Sequence, residues 1–171
     1  MPSLLHFSED PTITRFRPHV AGYQNDAGSL VWAIDHEHAP SYWFPRDCPR
    51  ACCWGEENAI SEAGASLLGF GGARRLHAIE GGWLQRMREC RLYAYEFDPG
   101  TFKRRVAEAG YWVSDEEVTP LAVAPVGDLL ARHIEAGIEV RVVKNLWPLI
   151  DAIVASGLEF SIIRKANALQ R

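Results

Sequence analysis

The sequence is poor in methionine, cysteine and lysine: it holds two methionines and four cysteines, and only three of its 18 basic residues are lysine against 15 arginines. Long hydrophobic runs are missing as well. No apolar stretch approaches the roughly 20 residues that span a bilayer, because Arg, Asp or Pro interrupts the longest ones, and a membrane-spanning helix is excluded. The first residues, Met1-Pro2-Ser3-Leu4-Leu5-His6-Phe7, carry no basic start and no long apolar segment before Glu9-Asp10. A secretory leader is therefore not expected, and the cytoplasm is the expected location.

Four cysteines in a chain long enough for a full core need no disulfides in a reducing compartment, so free thiols are expected. Cys48-Pro49-Arg50-Ala51-Cys52-Cys53 lacks the paired CxxC of a zinc ribbon, and His36-Glu37-His38 sets its imidazoles two residues apart. No metal site is expected from these groups. Strand alternation would bury one of Cys52 and Cys53 as a small apolar residue. No P-loop, GxGxxG, HExxH or GxSxG occurs, which leaves the common ATP-driven chemistries without support.

What the chain does contain is the composition of a folded protein, 171 residues with 47% hydrophobic and 23% charged residues, enough for one domain. The formal charge is −4, so the average surface offers no positive field to a nucleic-acid backbone, and nucleic acid is not an expected partner. Residues 74–105 are a local exception, with eight basic and four acidic side chains. Such a run reads as a solvated face or as an attraction for an acidic partner or RNA. Arginine's planar fork suits phosphate and carboxylate, so the arginine excess is compatible with an anion site and equally with biased genomic composition.

Apolar periodicity predicts strands over 4–8, 30–34, 51–54, 75–80, 91–97, 110–114, 118–126 and 138–143. Helices are predicted over 39–44 with Asp35 as cap, over 82–90, over 127–137, and from Asn145 as cap through 155. Residues 102–109 read as a basic helical turn. Residues 21–29 read as a polar loop, and 55–72, with five glycines and no sustained period, as a flexible loop or lid. Residues 156–164 fit either a strand or a second helix. The sum is an α+β fold over 1–171, a single domain with a mixed or mostly antiparallel sheet of about six to eight strands, short helices and a C-terminal helix.

Unusual residues concentrate in the first third. His6 and Ser8 lie in the first strand, Tyr42 and Trp43 follow the second, and Phe44-Pro45-Arg46-Asp47-Cys48-Pro49-Arg50 sets two arginines and an aspartate on a loop stiffened by two prolines. Stiffness favours a preorganised anion site. The structural alternative pairs Asp47 with Arg46 or Arg50 and places His6 in the core.

The segments Leu5-His6-Phe7-Ser8-Glu9, Phe16-Arg17-Pro18, Val31-Trp32-Ala33-Ile34-Asp35, the loop from Phe44 to Arg50, Gly110-Tyr111-Trp112-Val113-Ser114 and Leu158-Glu159-Phe160-Ser161 together resemble a family of uncharacterised bacterial proteins. That resemblance spans nearly the whole chain and implies no activity.

A more distant resemblance is to the ADP-ribosyltransferase-like fold. It rests on the order His6-Phe7-Ser8, then Ile13 to Phe16 with Pro18, then a strand from Val31 followed by Tyr42, and a late Glu159-Phe160. It implies that NAD is a substrate. The roles of that family would fall to His6 at the nicotinamide-side ribose, Tyr42 stacked on the nicotinamide, and Glu159 at the ribose 2′-hydroxyl, with arginine at the pyrophosphate. Phe7 before Ser8 and the segment 35–38 depart from that family's pattern. The resulting expectation is an enzyme or degenerate enzyme that binds NAD or a related nucleotide. The alternative is a non-catalytic nucleotide, small-anion or protein-interaction module. Arg46, Asp47, Arg50, Ser8 and Trp43 are the expected ligand-binding residues.

Overall fold

The structure, a computed structural model, describes residues 2–20, 28–56 and 60–171. Residues 21–27, most of the expected polar loop, and 57–59 of the expected lid lie outside it. In chain order the strands are β1 (Leu4–Ser8), β2 (His19–Val20), β3 (Ser29–Ile34), β4 (Arg50–Trp54), β5 (Arg75–Glu80), β6 (Tyr93–Phe97), β7 (Lys103–Val106), β8 (Tyr111–Ser114), β9 (Ala122–Pro125), β10 (Ile138–Val143) and β11 (Glu159–Ile163). The α-helices are α1 (Glu62–Leu68), α2 (Leu84–Glu89), α3 (Leu129–Glu135) and α4 (Trp147–Ala155). The fold is α+β. The chain divides into two compact units, Met1–Trp43 with Arg91–Val126, and Phe44–Cys90 with Gly127–Arg171.

The first unit is a seven-stranded sheet of order β7-β8-β3-β1-β6-β9, with β2 added alongside β3. Every pairing in it is antiparallel. Alternation along β1 sends Leu4, His6 and Ser8 to one face and Leu5 and Phe7 to the other. The first face is the apolar one: Leu4, Phe16, Ala33, Tyr95, Phe97 and Val118 pack there as a core. Tyr95 is fully buried, and its hydroxyl donates to Asp10 O at 2.6 Å and accepts from the Ile13 amide at 3.1 Å. The phenol thereby satisfies two backbone groups of the segment after β1 that would otherwise be lost to burial.

The second unit is a four-stranded sheet of order β10-β5-β4-β11, parallel between β10 and β5 and antiparallel elsewhere. On one face Ala51, Cys53, Leu76 and Ala78 meet Leu68 of α1 and Ile150 and Ile153 of α4. On the other, Phe44 packs against His77 of β5 and His133 of α3. Because both faces are covered, all five residues of β4 are buried, and after Arg50 its sequence reads as one apolar run. Both Cys52 and Cys53 are fully buried, where alternation alone predicted one.

Four further segments differ from their sequence reading. Within 55–72, α1 forms because Ser61 caps it, its hydroxyl accepting from the Gly64 amide at 3.0 Å and donating to Ser156 O at 2.6 Å. Gly64 lets the helix sit close, since a Cβ there would lie 3.0 Å from the Leu158 side chain. Residues 103–106 form an edge strand instead of a helical turn; pairing with β8 decides the matter, and lysine and arginine protect an open edge. The 39–44 helix is a short 3-10 turn, Ala39–Tyr42, with His38 at its N-cap position, and the Asp35 carboxylate accepts from the His38 amide in the turn before it. At α4 the N-cap position is Leu146, while the Asn145 side chain accepts from the Trp147 amide at 2.8 Å. Residues 159–163 resolve as a strand, paired along its whole length with β4.

Candidate functional site

His6 and Tyr42 belong to the first unit and Glu159 to the second. His6 Nδ1 donates to Trp32 O at 2.9 Å, since a carbonyl only accepts. Its ring lies 4.9 Å from Phe16 and 6.2 Å from Phe97, on the core face. Tyr42 instead stacks on Phe7, 11° from parallel at 6.4 Å, and Phe7 occupies the opposite face of β1. The sheet therefore separates His6 from Tyr42. Ser8 lies on the His6 face, buried, with its hydroxyl accepting from the Asp10 amide at 3.1 Å. Trp43 closes the 3-10 turn through its amide to Pro40 O at 3.2 Å.

In the second unit, Arg50 is 3% exposed; it donates to Cys48 O at 3.0 Å and lies 5.2 Å over the Phe44 ring. The carbonyls of Arg46 and Asp47 accept from Arg164 Nε at 3.3 Å and Asn167 Nδ2 at 2.8 Å. These bonds tie the proline-rich loop to the C-terminal segment. Glu159 Oε2 accepts from the Trp54 indole at 2.6 Å, and the Arg75 guanidinium lies 5.0 Å over that indole. Trp54 pairs with Glu159 and Arg50 with Ile163, so the Glu159 and Arg50 backbones stand four residues apart along the ladder, about 13 Å at the usual strand rise.

The aromatic groups around Tyr42 form the more coherent constellation. The Tyr42 hydroxyl donates to that of Tyr111 at 3.1 Å, and their rings meet edge to face at 6.4 Å and 77°. Tyr111 meets Trp32 the same way, at 6.0 Å and 84°. Register puts Phe7, Trp32 and Tyr111 on one face: Leu5 pairs with Ile34, Ile34 with Tyr111, and two-residue steps from these reach Phe7 and Trp32. All four aromatic residues are half-buried. The Trp32 indole nitrogen is buried with no hydrogen-bond partner among the described residues, an exception of the kind that calls for an acceptor.

At the end of β3 the Asp35 carboxylate accepts from His38 Nδ1 at 2.7 Å and from the His38 amide at 3.0 Å. Gly110, at φ +68°, packs so closely on this pair that a Cβ would collide with both side chains. The Asp35 amide donates to Gly110 O at 3.0 Å, joining the pair to the start of β8 and so to Tyr111.

Titratable groups in the core of the second unit follow a different logic. Leu129 O takes the His133 Nδ1 proton at 2.6 Å, so His133 Nε2 accepts from His77 Nδ1 at 3.1 Å. His77 Nε2 is then a buried acceptor with no partner among the described residues. Burial, followed by its neighbour His133, pushes the His77 pKa well below the ordinary imidazole value, and burial lowers that of His133. All four cysteines are free and buried. Burial raises Cys48 to about 12 and Cys53 to about 11, which removes the thiolate from neutral-pH chemistry. No group of three or more His, Cys, Asp or Glu side chains fit to hold a metal occurs among the described residues, and no helix there is long and apolar enough to cross a membrane.

Sequence reasoning singled out Tyr42 as a candidate but not Tyr111, which meets it, nor Trp32, which meets Tyr111. Trp32 and Tyr111 were legible as strand residues; only strand register shows that they share a face.

The protein is thus an α+β protein in which an antiparallel sheet carries an apolar core on one face and an aromatic cluster on the other. It belongs to the family of unknown function DUF6886, whose model matches residues 5–168. No curated protein and no solved structure matches the chain.

Proposed function

We propose that the protein binds a nucleotide of the NAD class, with a planar base or the nicotinamide ring stacked among Phe7, Trp32, Tyr42 and Tyr111. The observation that carries this reading is the position of Tyr42, hydrogen-bonded to Tyr111 and stacked on Phe7 on the sheet face away from the core. Each base stacked on an aromatic side chain is worth about 1–3 kcal/mol, and every nucleobase offers such a face. The buried Trp32 N–H adds a donor suited to a carbonyl or phosphate oxygen. His6 serves the core face in this reading and touches no ligand. Calorimetric titration with NAD, ADP-ribose and adenosine tests it: binding that disappears in Tyr42→Ala is expected, and the absence of binding by all three ligands overturns it.

Glycosyl transfer on NAD is a second reading, favoured by one observation: the Glu159 carboxylate is oriented by the Trp54 indole. An ordered carboxylate is what an oxocarbenium-like transition state needs. Nicotinamide release from NAD, lost in Glu159→Ala, is the expected result. No release by the unaltered protein removes this reading and leaves the binding role.

A further inference from the structure

The aromatic face ends at β7, an edge strand whose four residues are all exposed. Lys103 pairs with Val113, which in turn pairs with Trp32, so Lys103 stands on the aromatic face. The register slips between Arg104 and Val106, and a bulge of this kind re-aims the extra side chain. That residue is Arg105, and its guanidinium lies 5.6 Å over the Trp32 ring. Arg104 goes the other way: it pairs with Trp112, lies 6.0 Å over that ring on the core-bearing face, and donates to Ala107 O at 3.4 Å. Among the described residues no carboxylate forms an ion pair with Lys103 or Arg105.

We propose that Lys103, Arg105 and the indole N–H of Trp32 form a phosphate-binding subsite at the β7 margin of the aromatic face. The proposal rests on the nucleotide reading and deepens it: the ligand is a nucleotide bearing a phosphate or pyrophosphate, not a nucleoside. Three features make the chemistry specific. The indole is a donor that burial has stripped of water without supplying an acceptor, and a phosphate oxygen is an acceptor with charge to spare. Arg105 brings a planar fork and Lys103 a point charge, the two complementary ways of holding a phosphoryl group. The chain as a whole carries −4, so an anion is drawn only by cations within about a Debye length, roughly 8–10 Å in ordinary buffers.

Titration of the full chain with inorganic pyrophosphate at low salt is the test, run alongside adenosine as an uncharged ligand for the aromatic platform. The expected result is that pyrophosphate binds the unaltered protein and that the double variant Lys103→Gln/Arg105→Gln loses about tenfold or more in affinity, as loss of charge-assisted hydrogen bonds requires. Arg104→Gln removes the same kind of charge from the same strand on the other face and is expected to keep pyrophosphate binding. The proposal is overturned if pyrophosphate does not bind, if the double variant binds it unchanged, or if Arg104→Gln weakens binding as much as the double variant does. Adenosine separates this from the platform itself: its binding is expected to survive the double variant and to be lost in Tyr42→Ala. Pyrophosphate responding as expected while adenosine, NAD and ADP-ribose all fail to bind sinks the nucleotide reading and leaves the anion subsite standing.

Discussion

Phe7 and Tyr42 stack 11° from parallel, and because Phe7 alternates with His6 along β1, Tyr42 is held on the sheet face that His6 does not occupy. The two residues are therefore expected to respond differently to truncation. Tyr42→Ala removes the stack and the bond to Tyr111, and is expected to abolish ligand binding. His6→Ala removes a hydrogen bond to Trp32 O and contacts with Phe16 and Phe97. It is expected to cost about 1–3 kcal/mol of stability with ligand affinity unchanged. Denaturant unfolding and titration of the two variants side by side check the difference, and equal loss of affinity in both would refute it.

How far such a face could be read beforehand depends on the kind of information it needs. β1, β5 and β10 are legible to the residue, because Leu4–Ser8, Arg75–Glu80 and Ile138–Val143 combine apolar content with polar or glycine punctuation. β7 is not legible, since Lys103-Arg104-Arg105-Val106 has no apolar alternation and becomes a strand only by pairing with β8. α1 hides in glycine, alanine and serine, residues whose helicity here depends on the Ser61 cap. The candidate site divides in the same way. Tyr42 stood out as a residue type near a strand end, but Tyr111 lies 69 residues further on, and no local period relates the two.

The His77–His133 pair makes the second unit sensitive to acid. Both imidazoles are neutral in the fold with their pKa values lowered by burial, whereas in the unfolded chain they take up protons near pH 6.5. The stability they confer is fully present above that value and is lost as pH falls through it toward the folded values. The loss begins near pH 6.5 and steepens below it, toward a limit of about 1.4 kcal/mol per pH unit for each proton that only the unfolded chain binds. Urea midpoints measured between pH 7.5 and 5.5 are expected to drop progressively, ahead of ordinary carboxylate titration. A flat profile across that interval would contradict the neutral pair.

The thiols offer a check on packing. All four cysteines are buried, and Cys48 and Cys53 are raised to about 12 and about 11. An aromatic disulfide reagent at pH 8 is expected to leave these two unmodified in the native protein and to titrate all four only after denaturation. Rapid modification of Cys48 or Cys53 in the native state, mapped by mass spectrometry, would show that the core of the second unit is open.

Gly110 tests the Asp35–His38 pair. Its φ of +68° costs a non-glycine residue about 1–2 kcal/mol, and a methyl group would in addition strike both His38 and Asp35. Gly110→Ala is therefore expected to destabilise the protein by more than the backbone penalty alone, whereas Gly137→Ala, at φ +69° with open space around it among the described residues, should show the backbone penalty only. A comparison of their unfolding free energies isolates the contact, and equal losses would mean that the segment 35–38 yields without cost.

Glu80 shows what a single acid can do inside an apolar strand. It is 3% exposed, and its carboxylate accepts from the Leu146 amide at 3.1 Å and the Leu169 amide at 3.0 Å, so one side chain of β5 anchors both the start of α4 and the C-terminal segment. Glu80→Leu fills the volume but leaves two amide donors without partners, at about 1–3 kcal/mol each for those that stay buried. Glu80→Gln keeps a carbonyl oxygen and can serve one of them. The expected order of stability is unaltered protein, then Glu80→Gln, then Glu80→Leu, with the C-terminal residues of Glu80→Leu becoming the first site of limited proteolysis. Protection of that segment in Glu80→Leu would show that Trp147, whose indole donates to Leu169 O at 2.8 Å, holds it without the carboxylate.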